Sequence, residues 1–285
     1  MMRPAKPGVA APFRPLQSPV MIRYALVTVP LLAVSPAFAA SSQWQESEGG
    51  AVRLVTTGLP DKDGNLRGVL EIDLKPGWKT YWRNPGAAGI PPQIDISRSP
   101  HIGTAEIGYP APERIHDGET QWAGYKHSVS LPITFTLDRA NAVTLIDADV
   151  FLGICETICI PFQASFMFDP GAGAEDVGDA LAVERAFASL PAPADAHFGI
   201  TGIERSGDAL ILKASLPPSA QNPALFIDHE RAHLLGTPRL ESPGEDSANF
   251  IVEISPGEVE ELENTLLIYT LTVDGTAVAG DIEIP

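Results

Sequence analysis

Alternation with a period of two is the feature that most narrows the folds open to this chain. Val129 to Leu137 (VSLPITFTL) and Leu66 to Leu74 (LRGVLEIDL) alternate apolar and polar side chains. That is the pattern of a strand with one face in a core and the other in water. The second run follows a turn signal, Asp61-Lys62-Asp63-Gly64-Asn65, and two further strand-like runs cover Val143 to Leu152 and Ile160 to Phe168. Pro132 cannot donate to a ladder, so it marks its strand as an edge or a bulge. The 27 prolines and 25 glycines are spread along 285 residues, which suits frequent turns better than a helical bundle. With no strong helix pattern among these strands, residues 40–169 read as a β-sandwich.

The pattern changes after residue 169. Pro170 to Ala174 reads as a linker, and Glu175 to Leu190 (EDVGDALAVERAFASL) as a helix with acids in its first turn. Leu181, Phe187 and Leu190 fall on one face of that helix, and Pro191 to Ala194 ends it. Residues 170–197 are thus expected to connect two domains. Alternation returns in residues 198–285, at Leu210 to Leu216, Leu225 to Asp228, Phe250 to Ile254, Leu266 to Val273 and Val278 to Ile284. Asp274-Gly275 joins the last two as a hairpin. The expected fold is therefore all-β, a sandwich followed by a second, smaller one.

The first 39 residues form a signal-peptide region. They hold Arg3, Lys6, Arg14 and Arg23 and no acidic residue. A short apolar run, Ala25 to Val34, leads to the small-x-small pattern Ala37-Phe38-Ala39 before a cut at Ala40. Met21 immediately precedes this unit and is an alternative start. No later stretch approaches the ~18 apolar residues of a membrane span, so the processed chain is expected to be soluble in the periplasm. The full sequence has a formal net charge of −17, and the whole acidic excess lies beyond residue 39. Such a surface repels phosphate backbones, which argues against nucleic-acid binding.

Export makes the two cysteines informative, because an oxidising compartment lets a pair form and keep a disulfide. Cys155 and Cys159 lie in GICETICIP. In an extended strand they would stand about 13 Å apart, whereas a bridge needs Cα atoms within about 7 Å. The chain must therefore turn between them, at a corner where two strands meet. A disulfide closing so small a loop stabilises by only about 2 kcal/mol on chain-entropy grounds, against about 4.7 for a hundred-residue loop. A structural staple gains more by joining distant strands, so the spacing leaves a labile, exchangeable bridge and an inert one both open. Glu156 lies inside the loop, where a carboxylate disfavours a thiolate or relays a proton.

Three blocks carry a family resemblance: Gly77-Trp78-Lys79-Thr80-Tyr81-Trp82-Arg83-Asn84-Pro85-Gly86; Tyr109 to Arg114 running on to Gly124-Tyr125-Lys126 and Leu131-Pro132-Ile133; and Cys155 to Pro161. Together they resemble the N-terminal periplasmic domain of the thiol:disulfide interchange reductase (DsbD) family, closest to the type linked to suppression of copper sensitivity. The resemblance implies an immunoglobulin-like sandwich with the cysteine pair near one edge. It implies Cys159 as the residue that forms mixed disulfides and Cys155 as the resolving one. It implies a cap over the pair from the loop Asp117 to Lys126, with Trp122 or Tyr125 as its aromatic, and Tyr81 beside the pair. Implied partners are a membrane-embedded thiol reductase and periplasmic thioredoxin-like proteins, in a setting of cytochrome c-type biogenesis or copper tolerance. No cofactor is expected. The membrane and thioredoxin domains of the full-length family have no counterpart in this sequence, and the cysteine spacing is shorter than in its best-known member.

Two other readings stand beside exchange: an exported binding module whose disulfide is structural, and a Cu(I) protein using Cys155, Cys159 and Met167 as soft donors. His229 and His233 have the spacing of paired metal ligands but no third ligand nearby, and read as a polar loop.

Overall fold

The computed structural model describes residues 1–2, 8, 41–86, 89–117, 120–139, 145–172 and 176–285. The signal-peptide unit, from Arg23 to Ala40, lies outside the described residues. Residues 38–285 form one compact unit.

Its strands are, in chain order, β1 (Gln45–Glu46), β2 (Gly50–Thr56), β3 (Asn65–Leu74), β4 (Lys79–Tyr81), β5 (Gln93–Asp95), β6 (Ile102–Ile107), β7 (Glu113–Asp117), β8 (Thr120–Tyr125), β9 (Val129–Leu137), β10 (Ile146–Cys155) and β11 (Cys159–Phe168). Helix α1 (Val177–Ala188) follows. Then come β12 (Ala192–Pro193), β13 (Gly199–Arg205), β14 (Ala209–Ser215), β15 (Ala224–Asp228), β16 (Arg239–Pro243), β17 (Ser247–Glu253), β18 (Leu266–Val273) and β19 (Thr276–Glu283).

Among the described residues the first sandwich pairs the sheet β1-β2-β3-β9-β6 with the sheet β11-β10-β4-β8-β7, and β5 pairs with β10 beside β4. Inward residues of both sheets, among them Leu54, Leu70, Phe135, Val150, Leu152 and Phe166, build one core. The second sandwich packs β12-β19-β18-β15 on β13-β14-β17-β16 around Leu212, Leu225, Phe250 and Leu271. The fold is thus the expected all-β, immunoglobulin-like sandwich with a second one after it. Asp274 and Gly275 make the expected hairpin turn, with φ of 49° and 81°, both positive as a type I′ turn requires.

Pro132 does not mark an edge. Its strand β9 runs between β3 and β6. The Pro132 carbonyl accepts from the Gly108 amide at 2.7 Å, so its polar side points toward the β6 neighbour. β6 ends at Ile107, opposite Ile133. The missing N–H therefore falls where the ladder has already stopped and costs no strand bond.

Helix α1 begins at the Asp176 cap, whose carboxylate accepts from the amides of Gly178 and Asp179. Its buried face is not the expected one. Val183 and Ala186 pack on Val55 and Val69, while Leu181 is 48 % exposed and Phe187 only partly buried. Val55 and Val69 lie on the outer face of β2 and β3. Two small side chains fit that shallow patch where a leucine face would not, and Arg67 adds an ion pair with Glu184 and stacks over the Phe187 ring at 3.9 Å.

The two sandwiches meet along β15, an edge strand of its sheet. The Leu225 and Ile227 carbonyls are two residues apart, hence on one side of the strand. They accept from Arg114 at 2.7 Å and from Asn84 at 2.8 Å. Between them Phe226 turns the other way from Leu225 and Ile227 and is buried in the core of the first sandwich. Its ring meets Trp82 edge-on at 6.0 Å and lies under the Arg114 guanidinium at 4.6 Å.

Candidate functional site

The cysteines close the β10–β11 hairpin. Cys155 ends β10, Cys159 begins β11, and the two stand opposite each other in the ladder. Two residues earlier the Gly153 amide donates to the Ile90 carbonyl, away from β11. Positions 153 and 155 share that orientation, which makes Cys155–Cys159 a non-hydrogen-bonded pair. Such pairs bring Cα atoms to about 4.5 Å, and here the separation is 4.1 Å with the disulfide formed. The two cysteines are not equivalent toward solvent. Cys155 is 4 % exposed, whereas Cys159 is exposed and next to Ile158, itself 71 % exposed at the turn.

Register determines what surrounds the pair. Lys79 stands opposite Cys155 on β4, Tyr81 opposite Gly124, and Ile115 opposite Trp122. All project from the outer face of the sheet, while Ile154, Thr80 and Tyr125 project into the main core. Tyr81, Ile115, Trp122 and Cys155 form a separate small apolar cluster on that outer face, with Ile90 packed against it. Two glycines make room for the rings. A Cβ on Gly153 would come within 2.8 Å of the Tyr81 ring, and one on Gly124 within 2.6 Å of the Trp122 indole. Trp122 leans on Tyr81 with ring centroids 4.6 Å apart, and the Lys79 ammonium lies 5.8 Å from the indole centroid.

The Tyr81 hydroxyl lies 2.8 Å from the Cys159 sulfur and 3.0 Å from the Cys155 sulfur. Neither sulfur of a disulfide carries a proton, so the hydroxyl is the donor. The same O–H is placed to stabilise whichever sulfur becomes a thiolate when the bridge opens.

Residues 51–169 match the family described as "Thiol:disulfide interchange protein DsbD, N-terminal". Over these residues the chain is similar to a DsbD-type N-terminal domain. Among solved structures, the N-terminal periplasmic domain of ScsB from Proteus mirabilis superposes with a TM-score of 0.71, over 86 % of this chain and 98 % of that one, at 21 % identity. That likeness is one of fold, and it runs on beyond the DsbD-type domain. No curated protein matches the chain.

Within this DsbD-type domain the other expected site residues lie as follows. The segment expected as a cap loop is largely β8, and its Trp122 is buried in the cluster beside Tyr81 rather than held on a free loop. Tyr125 belongs instead to the main core, where its hydroxyl donates to the Pro110 carbonyl at 2.8 Å and burial raises its pKa well above the ordinary phenol value. Glu156 is exposed at the turn. Trp78 and Trp82 are core residues. Ile90, Ile115 and Gly153 carry no mark in the sequence, and Lys79 and Gly124 stand in the resemblance blocks without a site role, because their membership depends on strand register. Their parity with Cys155 becomes a signal only once the pairing is known.

The copper set is not assembled. Met167 lies eight residues along β11 from Cys159, about 26 Å at strand rise. Among the described residues no group of three or more His, Cys, Asp or Glu could hold a metal ion. Both ring nitrogens of His229 have protein partners, the Thr265 hydroxyl at 2.8 Å and the Arg231 amide at 2.9 Å, and burial lowers its pKa.

Proposed function

We propose that this chain exchanges electrons with partner proteins through Cys155 and Cys159, in the periplasm. The observation that carries the reading is the asymmetry of the pair: Cys159 is an exposed residue, while Cys155 is buried beneath Tyr81 and Trp122. A partner can reach Cys159, and Cys155 stays at hand to resolve.

In the reduced protein the Cys159 thiolate attacks one sulfur of a partner disulfide. A new S–S bond joins the two proteins and the partner's other sulfur leaves as a thiolate, which takes up a proton. Cys155, deprotonated, then attacks the Cys159 sulfur and releases the partner's second thiol. The partner gains two electrons and two protons, and the Cys155–Cys159 disulfide re-forms. The Tyr81 hydroxyl and the Lys79 charge favour the thiolate form at the pair. The partners proposed are thioredoxin-like periplasmic proteins as acceptors and a membrane-embedded thiol reductase as the donor that recharges the pair. Tyr81 and Trp122 act as the cover that admits a fitted partner and turns aside small thiols.

The test is capture. Cys155→Ala leaves Cys159 without its resolving partner, and the mixed disulfide should accumulate in periplasmic extracts, while Cys159→Ala should capture nothing. Capture by neither variant would assign the bridge a structural role, and equal capture by both would overturn the division of attacking and resolving cysteines.

A further inference from the structure

The hairpin that bears Trp122 and Ile115 is held to its own sheet by little. β8 meets β4 at only two residue pairs, Thr80 with Tyr125 and Tyr81 with Gly124, and β7 is the last strand on that side. Backbone bonds from Trp82 to Ala123 and from Ala123 to Pro85, both 3.1 Å, add one more step. Ala123 and Tyr125 pack in the main core, and residues 198–285 add a further brace from behind. Phe226 fills the core against Trp82 and the Arg114 guanidinium, and Arg114 donates across to the Leu225 carbonyl.

Strand parity links this contact to the redox site. Trp82 follows Tyr81, Arg114 precedes Ile115, and Ala123 follows Trp122. In each couple one side chain faces the inner surface where Phe226 sits and the other faces the cysteines. We propose that Phe226 and Arg114 are positioning residues for the redox site: the second sandwich plugs the inner face of the β4–β8–β7 strands and thereby keeps Tyr81 and Trp122 packed on Cys155. The role of residues 198–285 is then to set how tightly the resolving cysteine is covered. The inference rests on the exchange reading for its purpose, but the covering itself is measurable without any partner.

A short hairpin with few ladder bonds opens locally before the whole domain unfolds, and loss of the plug lowers the cost of that opening. The experiment uses the full chain carrying Cys159→Ala, so that Cys155 is the only thiol. Alkylation by iodoacetamide is followed across pH, and limiting rates at high pH are compared so that thiol ionisation does not enter. Phe226→Ala should raise the limiting rate by roughly tenfold or more, with faster amide exchange in 113–125 but not in β2, β3 and β9. Phe226→Leu should return most of the protection. If Phe226→Ala fails to fold, Asn84→Ala removes the bond to the Ile227 carbonyl, along with the one its Oδ1 accepts from the Gly86 amide, and should raise the rate in the same direction by a smaller factor. An unchanged rate in a folded Phe226→Ala protein, or in Asn84→Ala where that is the variant measured, overturns the positioning role. Failure of partner capture by Cys155→Ala would leave this result standing, since it bears on exchange and not on the cover.

Discussion

At the residue scale, Tyr81 is the side chain on which the chemistry of the pair turns. Its ring lies against Gly153, and its hydroxyl touches both sulfurs. A hydrogen bond to a charged group contributes about 1.5–3 kcal/mol, which converts to about one to two pKa units on the thiolate it serves. Tyr81→Phe keeps the ring and removes the donor. In the reduced Cys155→Ala protein it should raise the pKa of Cys159 by about one unit or more, read from the pH dependence of alkylation. No change would mean that the hydroxyl turns away once the bridge opens. The cation Lys79 and the two glycines are residues whose importance a strand pattern does not reveal. Gly153 looks like a weak point in a strand until a ring is seen lying where its side chain would be.

At the element scale, β10 is the strand that everything at the site depends on, and its other end is pinned by charge. Arg98 reaches both Asp147 at 2.8 Å and Asp149 at 2.6 Å, and Ser165 on β11 also donates to Asp149. The Arg98 hydrogen bonds, followed by that of Ser165, hold the Asp149 pKa down to about 2 against an ordinary 3.8. A depressed carboxylate pKa contributes stability that is present above the unfolded value and lost as pH falls through the folded one. Acid unfolding should therefore show a component between about pH 4 and pH 2 that Arg98→Leu largely removes, followed by denaturant titrations at stepped pH. Because these groups are exposed, the component should also shrink at high salt. An Arg98→Leu protein with the same acid dependence as the wild type would remove the network from the account.

At the scale of the whole molecule, the two sandwiches are coupled through one strand edge. An edge strand offers unpaired carbonyls, a liability that proteins manage by covering it. Here Asn84 and Arg114 satisfy two of them and Phe226 crosses into the neighbouring core. Two cores joined this way should unfold together. Phe226→Ala removes the shared side chain, and the single denaturation transition expected of the wild type should separate into two, seen as non-coincident curves from tryptophan fluorescence and far-ultraviolet circular dichroism. All four tryptophans lie in residues 1–197, so their fluorescence reports on the first sandwich and, through Trp82, on its junction with the second. Coincident curves in that variant would show that the coupling lies elsewhere.

Period, spacing and turn chemistry are local properties, and they can be read from the chain before it folds. The alternation of Val129–Leu137 and Leu266–Val273 is reproduced as strands with those bounds, Asp274-Gly275 is a hairpin turn, and the short spacing of Cys155 and Cys159 required a corner between two strands. Short elements were less legible. β4 has three residues and β7–β8 contains Gly124 where a ring must pass, so neither alternates over a long enough run to stand out. The buried face of α1 was misjudged because its target is a shallow patch of valines contributed by strands far away in the chain. Only the tertiary structure decided which face of the sheet bears the cysteines, that Tyr81 and Trp122 share it while Tyr125 does not, and that Phe226 braces it from behind. Each of these depends on cross-strand register, and a shift of one residue would move every one of those side chains to the opposite face.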